Sequence, residues 1–136
     1  MTETKPRSLA LILARELASN LATATFVVDP GGRLVYFNES AEGLLGRTFA
    51  EAGELGPDEW GTLWEPQDLD GNPVAFEDLP LGVALRDRTP AHRGLRIAGL
   101  DGVVRSIAVT AVPLFAKADE FVGAIAVFWE LDKPGG

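Results

Sequence analysis

The chain has 136 residues, 46% hydrophobic and 24% charged, with 20 acidic against 12 basic side chains and a formal charge of -8. This is the balance of one folded domain with a sizeable core, and its charge repels phosphate backbones and anionic lipid, so nucleic acid and membranes are not expected partners. The absence of cysteine excludes disulfides, thiolate metal sites, cysteine nucleophiles and any bond from a protein sulfur to a chromophore.

Residues 8–14, SLALILA, follow Lys5 and Arg7 in the manner of a signal peptide's apolar stretch, but Glu3 interrupts the basic leader and Arg15 and Glu16 cut the run short. Secretion is not expected. No run approaches the ~18 apolar residues of a membrane span, and the expected location is cytoplasmic. Leu9, Leu13, Leu17 and Leu21 recur every fourth residue with Ile12 beside them, which predicts an amphipathic helix over residues 8–22, capped by Ser8. Such a stripe fits two uses, packing on the domain's own sheet or forming a dimer seam.

Next, ATFVVD (24–29) and RLVYF (33–37) are short, β-branched and aromatic, and Pro30, Gly31 and Gly32 between them predict a hairpin turn. Asn38 is placed to cap a helix, ESAEGLL, and Gly46 to end it in the left-handed region. Residues 47–78 are broken by Gly, Pro and acidic residues and predict short helices and loops. Asp78 and Pro80 announce the helix LPLGVALRDR, with Leu81 and Leu85 a turn apart and Pro90 ending it. The period then becomes two: Arg93, Leu95 and Ile97 share one side, His92, Gly94, Arg96 and Ala98 the other. Asp101-Gly102 predicts a two-residue turn into VVRSIAVTAVPLF (103–115), and AKADE leads to FVGAIAVFWE. In that last strand Phe121, Ile125, Val127 and Trp129 alternate with Val122, Ala124, Ala126 and Phe128, so both faces must be covered. The first helix is the spare element for one of them.

Chemical candidates are few. His92 is the only histidine and so the sole candidate haem ligand or histidine base; its place in an alternating strand predicts a surface residue. Asp68, Asp70 and Asn72 imitate half a calcium loop, but Pro73 and Leu79 stand where glycine and a bidentate glutamate are required, which predicts an ordinary acidic turn and no metal site. Asp58-Glu59 and Glu77-Asp78 adjoin helix starts and suit the dipole there. No phosphate loop, nucleophile elbow or zinc-protease motif occurs, and an enzyme is not expected. Trp60 and Trp64, four apart, fit plain core or cavity lining.

Asp29, Gly32, Asn38, Ala41 and Leu44-Leu45-Gly46, followed by DGNP, EDLPLGVALR, GLDGVVRSIAVTAVPL and VGAIAVFWE, resemble the PAS domain over residues 20–132, in particular the PAS modules of bacterial sensor kinases and regulatory phosphatases. The resemblance implies an α+β fold: a five-stranded antiparallel sheet in the order 2-1-5-4-3, curved around a small cavity, with short helices on the concave face and an N-terminal amphipathic helix. It divides the chain into a dimerisation or sheet-capping helix (1–22), the PAS domain (23–132) and a flexible tail (133–136). The residues that would line a ligand pocket are Phe26, Val28, Tyr36, Leu45, Phe49, Trp60, Trp64, Leu81, Leu85, Val109 and Phe128, and alternation alone leaves core and cavity both open. The implied function is a stand-alone sensory and signal-transduction module, homodimeric through Leu9, Ile12, Leu13, Leu17 and Leu21. It would bind a small apolar or aromatic ligand and regulate a kinase, phosphatase or regulator in trans. A ligand-free interaction and dimerisation module is the second reading, and a small α+β enzyme the third. Two departures matter. KPGG follows Glu130-Leu131-Asp132 where PAS sensors often carry an aspartate-x-threonine element, so the signal is expected to leave through the first helix or a separate protein. The lack of cysteine rules out the flavin-adduct and thioester-chromophore types, haem is not expected, and the cofactor is otherwise unknown.

Overall fold

The computed structural model describes residues 9–117 and 119–131; the Ser8 cap and the 133–136 tail fall outside them. In chain order come α1 (Leu9–Ser19), β1 (Ala24–Val28), β2 (Leu34–Phe37), α2 (Glu39–Leu45), α3 (Phe49–Ala52), α4 (Pro57–Leu63), a 3-10 turn (Phe76–Asp78), α5 (Pro80–Asp87), β3 (Ala91–Ala98), β4 (Val104–Phe115) and β5 (Phe121–Glu130). The strands form one antiparallel sheet, β2-β1-β5-β4-β3, as expected. Tight connections join β1 to β2, β3 to β4 and β4 to β5. The long path from β2 to β3 carries α2–α5 across one face.

The first turn is held by Asp29, whose Oδ1 accepts from the N–H groups of Gly31 (3.0 Å) and Arg33 (2.9 Å), while Gly32 takes φ 87°. The β3–β4 connection is longer than Asp101-Gly102 predicts. Gly99 N–H donates to Val103 O, and Asp101 Oδ1 accepts from Val103 N–H, so residues 99–103 stand outside both strands. The hydrogen bond from the Arg105 side chain, 3.2 Å away, holds the Asp101 carboxyl below its usual value.

Two hydrophobic clusters lie on opposite faces of the sheet. Phe26, Val28, Leu34, Phe37, Leu95, Ile97, Ile107, Val109, Ala111, Ala124, Ala126 and Phe128 meet the helical roof. On the outer face Val27 and Val35, with half-buried Tyr36, Leu114 and Ile125, meet Leu11, Ala14 and Ala18 of α1. So α1 does cover the sheet, but not with its leucine stripe. Leu9, Ile12, Leu13, Leu17 and Leu21 are 37–69% exposed. Small alanines bring the helix close to the sheet, and Leu11 rests over Gly123, where a Cβ would come within 3.1 Å of its Cδ1. The helix is also shorter than predicted: Ser19 Oγ and Asn20 Nδ2 both donate to Glu16 O and close its last turn.

Both rims of the sheet are occupied by loop residues. Leu55 exchanges two backbone hydrogen bonds with Leu34 of β2, and Gln67 exchanges two with Arg96 of β3.

Asn38 joins the two faces. Its side chain is buried; Oδ1 accepts from Thr25 N–H and Ala41 N–H, each at 3.0 Å, and so caps α2. Nδ2 donates to Ala18 O and Thr23 O at 2.9 Å, with Leu21 O at 3.3 Å. At the other end of α2, Gly46 takes φ 78°, and a Cβ there would meet the backbone nitrogens of Asp101 and Leu100 at 2.5 and 2.7 Å. Asn38→Ala is expected to cost about 2–4 kcal/mol, because several buried groups lose their partner at once. Gly46→Ala is expected to cost about 1–3 kcal/mol from the left-handed backbone and the clash together. Urea denaturation of each variant against the parent measures both.

Candidate functional site

Between the sheet and the roof is a cavity of about 80 Å³. Seven of the eleven residues proposed for a pocket line it: Phe26, Leu45, Trp60, Trp64, Leu81, Val109 and Phe128. The sheet contributes Phe26 from β1, Val109 from β4 and Phe128 from β5, brought together by pairing of Phe26 with Ala126 and of Val109 with Phe128. The roof contributes Leu45 from α2, Trp60 and Trp64 from and beside α4, and Leu81 from α5.

Four proposed residues lie elsewhere. Val28 is fully buried in the same core but does not reach the cavity. Leu85 packs at the edge of that core, its Cδ1 3.4 Å from where a Cβ on Gly32 would be. Phe49 sits at the start of α3, edge-on to both Phe37 (5.3 Å between ring centres) and Tyr36 (5.4 Å). Tyr36 belongs to the outer face. Plain alternation from Leu34 would turn it inward, but the β1–β2 register skips Val35, and this bulge sends Val35 and Tyr36 to the same side.

Leu95, an inward position of the alternating sheet, also lines the cavity, and six further lining residues escaped the sequence reading: Pro66, Leu79, Pro80, Ile97, Ile107 and Ala126. Leu95 and Ile97 had been placed on one side of β3, and pairing of Leu95 with Ile107 would have extended that side to β4. Pro66, Leu79 and Pro80 come from loop and helix starts that carry no period. Pro66 is the one half-exposed member of the lining; the other thirteen are buried.

The cavity presents carbon. Its only side-chain polar atoms are the two indole nitrogens, and both are engaged away from it. Trp60 Nε1–H donates to Gly32 O at 2.7 Å, and Trp64 Nε1–H to Leu45 O at 2.9 Å. Among the described residues no buried side-chain nitrogen or oxygen lacks a partner. The rings are also locked to one another: Phe26 meets Trp60, Trp64 and Phe128 edge-on at 5.7–6.0 Å and stacks on Phe37 at 5.8 Å. Pockets for drug-sized ligands run to about 300–1,000 Å³, and a dry apolar cavity of about 150 Å³ holds benzene. The present volume suits a neutral apolar guest of a few heavy atoms. A flavin does not fit a cavity of this volume and lining: the tricyclic ring has no room beside the two tryptophans, and its polar edge meets no free side-chain donor or acceptor there.

The other candidates stand apart from the cavity. His92 is exposed on the outer face, Nδ1 2.7 Å from Thr110 Oγ1 and its ring 6.4 Å from that of Trp129. Asp68 folds its own turn. Oδ1 accepts from Asp70 N–H and Asn72 N–H at 2.9 Å, Oδ2 accepts from Asn72 Nδ2 at 3.2 Å, and the Asn72 backbone bond leads in holding the carboxyl below its usual value. Glu59 Oε1 accepts from Gly56 N–H at the start of α4, where charge of that sign belongs. Among the described residues no group of three or more His, Asp or Glu is placed to hold a metal ion, and no helix is long and apolar enough to cross a membrane.

The model of the PAS fold family matches residues 13–129. No curated protein sequence matches the chain. Among solved structures, the chain is similar to a PAS domain from Colwellia psychrerythraea, at 18% identity and TM-score 0.60, covering 89% of this chain and 96% of that one. It is similar to the PAS domain of nitrogen regulation protein NR(II) from Vibrio parahaemolyticus, at 18% identity and TM-score 0.61, with 88% and 98% covered. The LOV protein of Rhodobacter sphaeroides aligns at 16% identity and TM-score 0.68, over 90% of this chain and 67% of that one. At these identities the structural likeness speaks for the fold alone, and with the family model spanning all five strands, this chain belongs to the PAS fold family.

Proposed function

We propose that this chain is a sensory module that admits a small, neutral, apolar or aromatic guest between sheet and roof, pairs with a second copy through α1, and regulates a signalling protein in trans. The observation that carries the reading is the carbon-lined cavity whose two tryptophans already spend their N–H groups on backbone carbonyls. A polar guest would surrender its hydrogen bonds to water and recover none, whereas an apolar one gains by leaving water. Binding shifts the protein only as far as the guest prefers one arrangement of roof and sheet over another. None of the chemistry-bearing side chains converges on the cavity, which argues for regulation over catalysis.

The dimer rests on Leu9, Ile12, Leu13 and Leu17. They give α1 an apolar stripe on the side away from the sheet as well as an apolar face towards it, with the charged Arg15 and Glu16 interrupting its surface, and an exposed apolar stripe of this size marks a surface that a partner covers. A second copy offers the same stripe in return. The small cavity volume favours, as a second reading, an interaction and dimerisation module that works without a guest.

Titration with dissolved xenon, a neutral apolar probe smaller than benzene, followed by NMR separates the two readings: shifts of the Trp60 and Trp64 indole N–H signals, with Trp129 unmoved, are expected for a guest site, and no shift at saturation leaves the guest-free module. Light scattering behind size exclusion is expected to give twice the chain mass, and Leu13→Glu with Leu17→Glu to give a folded monomer with unchanged far-UV circular dichroism. A parent protein of single chain mass removes the dimer.

A further inference from the structure

The geometry points to a coupling route that leaves the cavity around the outer rim of β2 and ends on α1, through Phe37, Phe49, Tyr36 and Arg15. Its trigger rests on the guest-site reading above, but the contacts do not. Two cavity-lining rings touch Phe37, Phe26 by stacking at 5.8 Å and Trp64 edge-on at 6.3 Å. Phe37 meets Phe49 edge-on at 5.3 Å, and Phe49 meets Tyr36 at 5.4 Å. The Arg15 guanidinium of α1 lies over the Tyr36 ring at 5.0 Å and 5.8 Å from that of Phe49.

This route exists because of two local features. The bulge at Val35 turns Tyr36 outward while its neighbour Phe37 stays inward. The strand carrying both is the outermost of the sheet, so Phe49 passes around its edge and touches each. A central strand would put a neighbour in the way. At the far end, α1 is the element most easily biased. Only Leu11 among its leucines and isoleucine is buried, and its remaining hold on the sheet is Ala14, Ala18, the Asn38 bonds and Arg15. A change in the packing of Phe26 and Trp64 therefore changes how firmly α1 docks, and with it the presentation of the leucine stripe.

Amide hydrogen exchange of residues 10–19 in the full chain tests the route, with β3 as internal reference. The cavity is perturbed in two ways: with saturating xenon, and by Ala126→Val, which adds carbon beside Phe26 and needs no guest. Either is expected to change α1 exchange by roughly two- to five-fold, the size that one cation–π contact supports. In Arg15→Gln and in Phe49→Leu the response is expected to vanish, although Ala126→Val still shifts the Trp60 and Trp64 indole signals. A response that persists in both variants, or is absent in the parent under Ala126→Val, overturns the route. If xenon moves no indole signal, the guest-site reading fails separately and the Ala126→Val arm decides alone. Should Arg15→Gln undock α1 outright, Phe49→Leu, which leaves α1 and its Arg15 in place over Tyr36, decides on the loss of response.

Discussion

The buried amide of Asn38 is the constraint on which this arrangement turns. One planar group satisfies the backbone of three elements at once. Its oxygen serves the start of β1 and the first turn of α2, and its nitrogen serves the end of α1 and the link to β1. A buried amide with all its partners is cheap to keep and expensive to disturb. Because the partners come from both faces of the sheet, the helix outside and the roof inside are set by the same few hydrogen bonds. Aspartate is nearly the same shape and would present oxygen to carbonyls where nitrogen now donates.

The roof is fastened by similar means. The last carbonyls of α2 do not go to water: Leu44 O accepts from Arg105 Nη1, and Leu45 O from both Leu100 N–H and Trp64 Nε1. Trp64 thus ties the cavity wall to the end of a helix that also grips the β3–β4 loop. Trp60 does the same from the middle of α4, through Gly32 in the first hairpin turn. The two side chains that give the cavity its walls also fix where those walls stand. Enlarging the space would mean breaking indole hydrogen bonds, and this keeps its volume small.

Most of the fold was legible, and the reasons are local. Asp29, Gly32, Asn38 and Gly46 each perform in the structure a role that backbone chemistry assigns to their type, and the alternation of β3–β5 identifies one face as core. What escaped the sequence depended on partners distant in the chain. Tyr36 was misplaced because a bulge is invisible to a period-two pattern. The leucines of α1 stand out as a stripe, yet Leu11, Ala14 and Ala18 pack on the sheet, because close approach to Gly123 and Val27 favours one leucine flanked by small residues over four large ones. Pro66, Leu79 and Pro80 reach the cavity from irregular segments whose positions are fixed only after the sheet and α4 have assembled. The cavity itself is a difference between volumes contributed by many elements, and no short stretch encodes it.

The two occupied rims of the sheet carry a consequence for assembly. Leu55 and Gln67 each take both hydrogen-bonding groups of the edge residue they face. An incoming peptide seeking to lengthen the sheet finds those ladder positions filled and would have to displace a loop at each border. Growth into ribbons or fibres is thereby discouraged at no expense to the broad surfaces. What the broad faces offer a partner is side chains rather than main-chain amides.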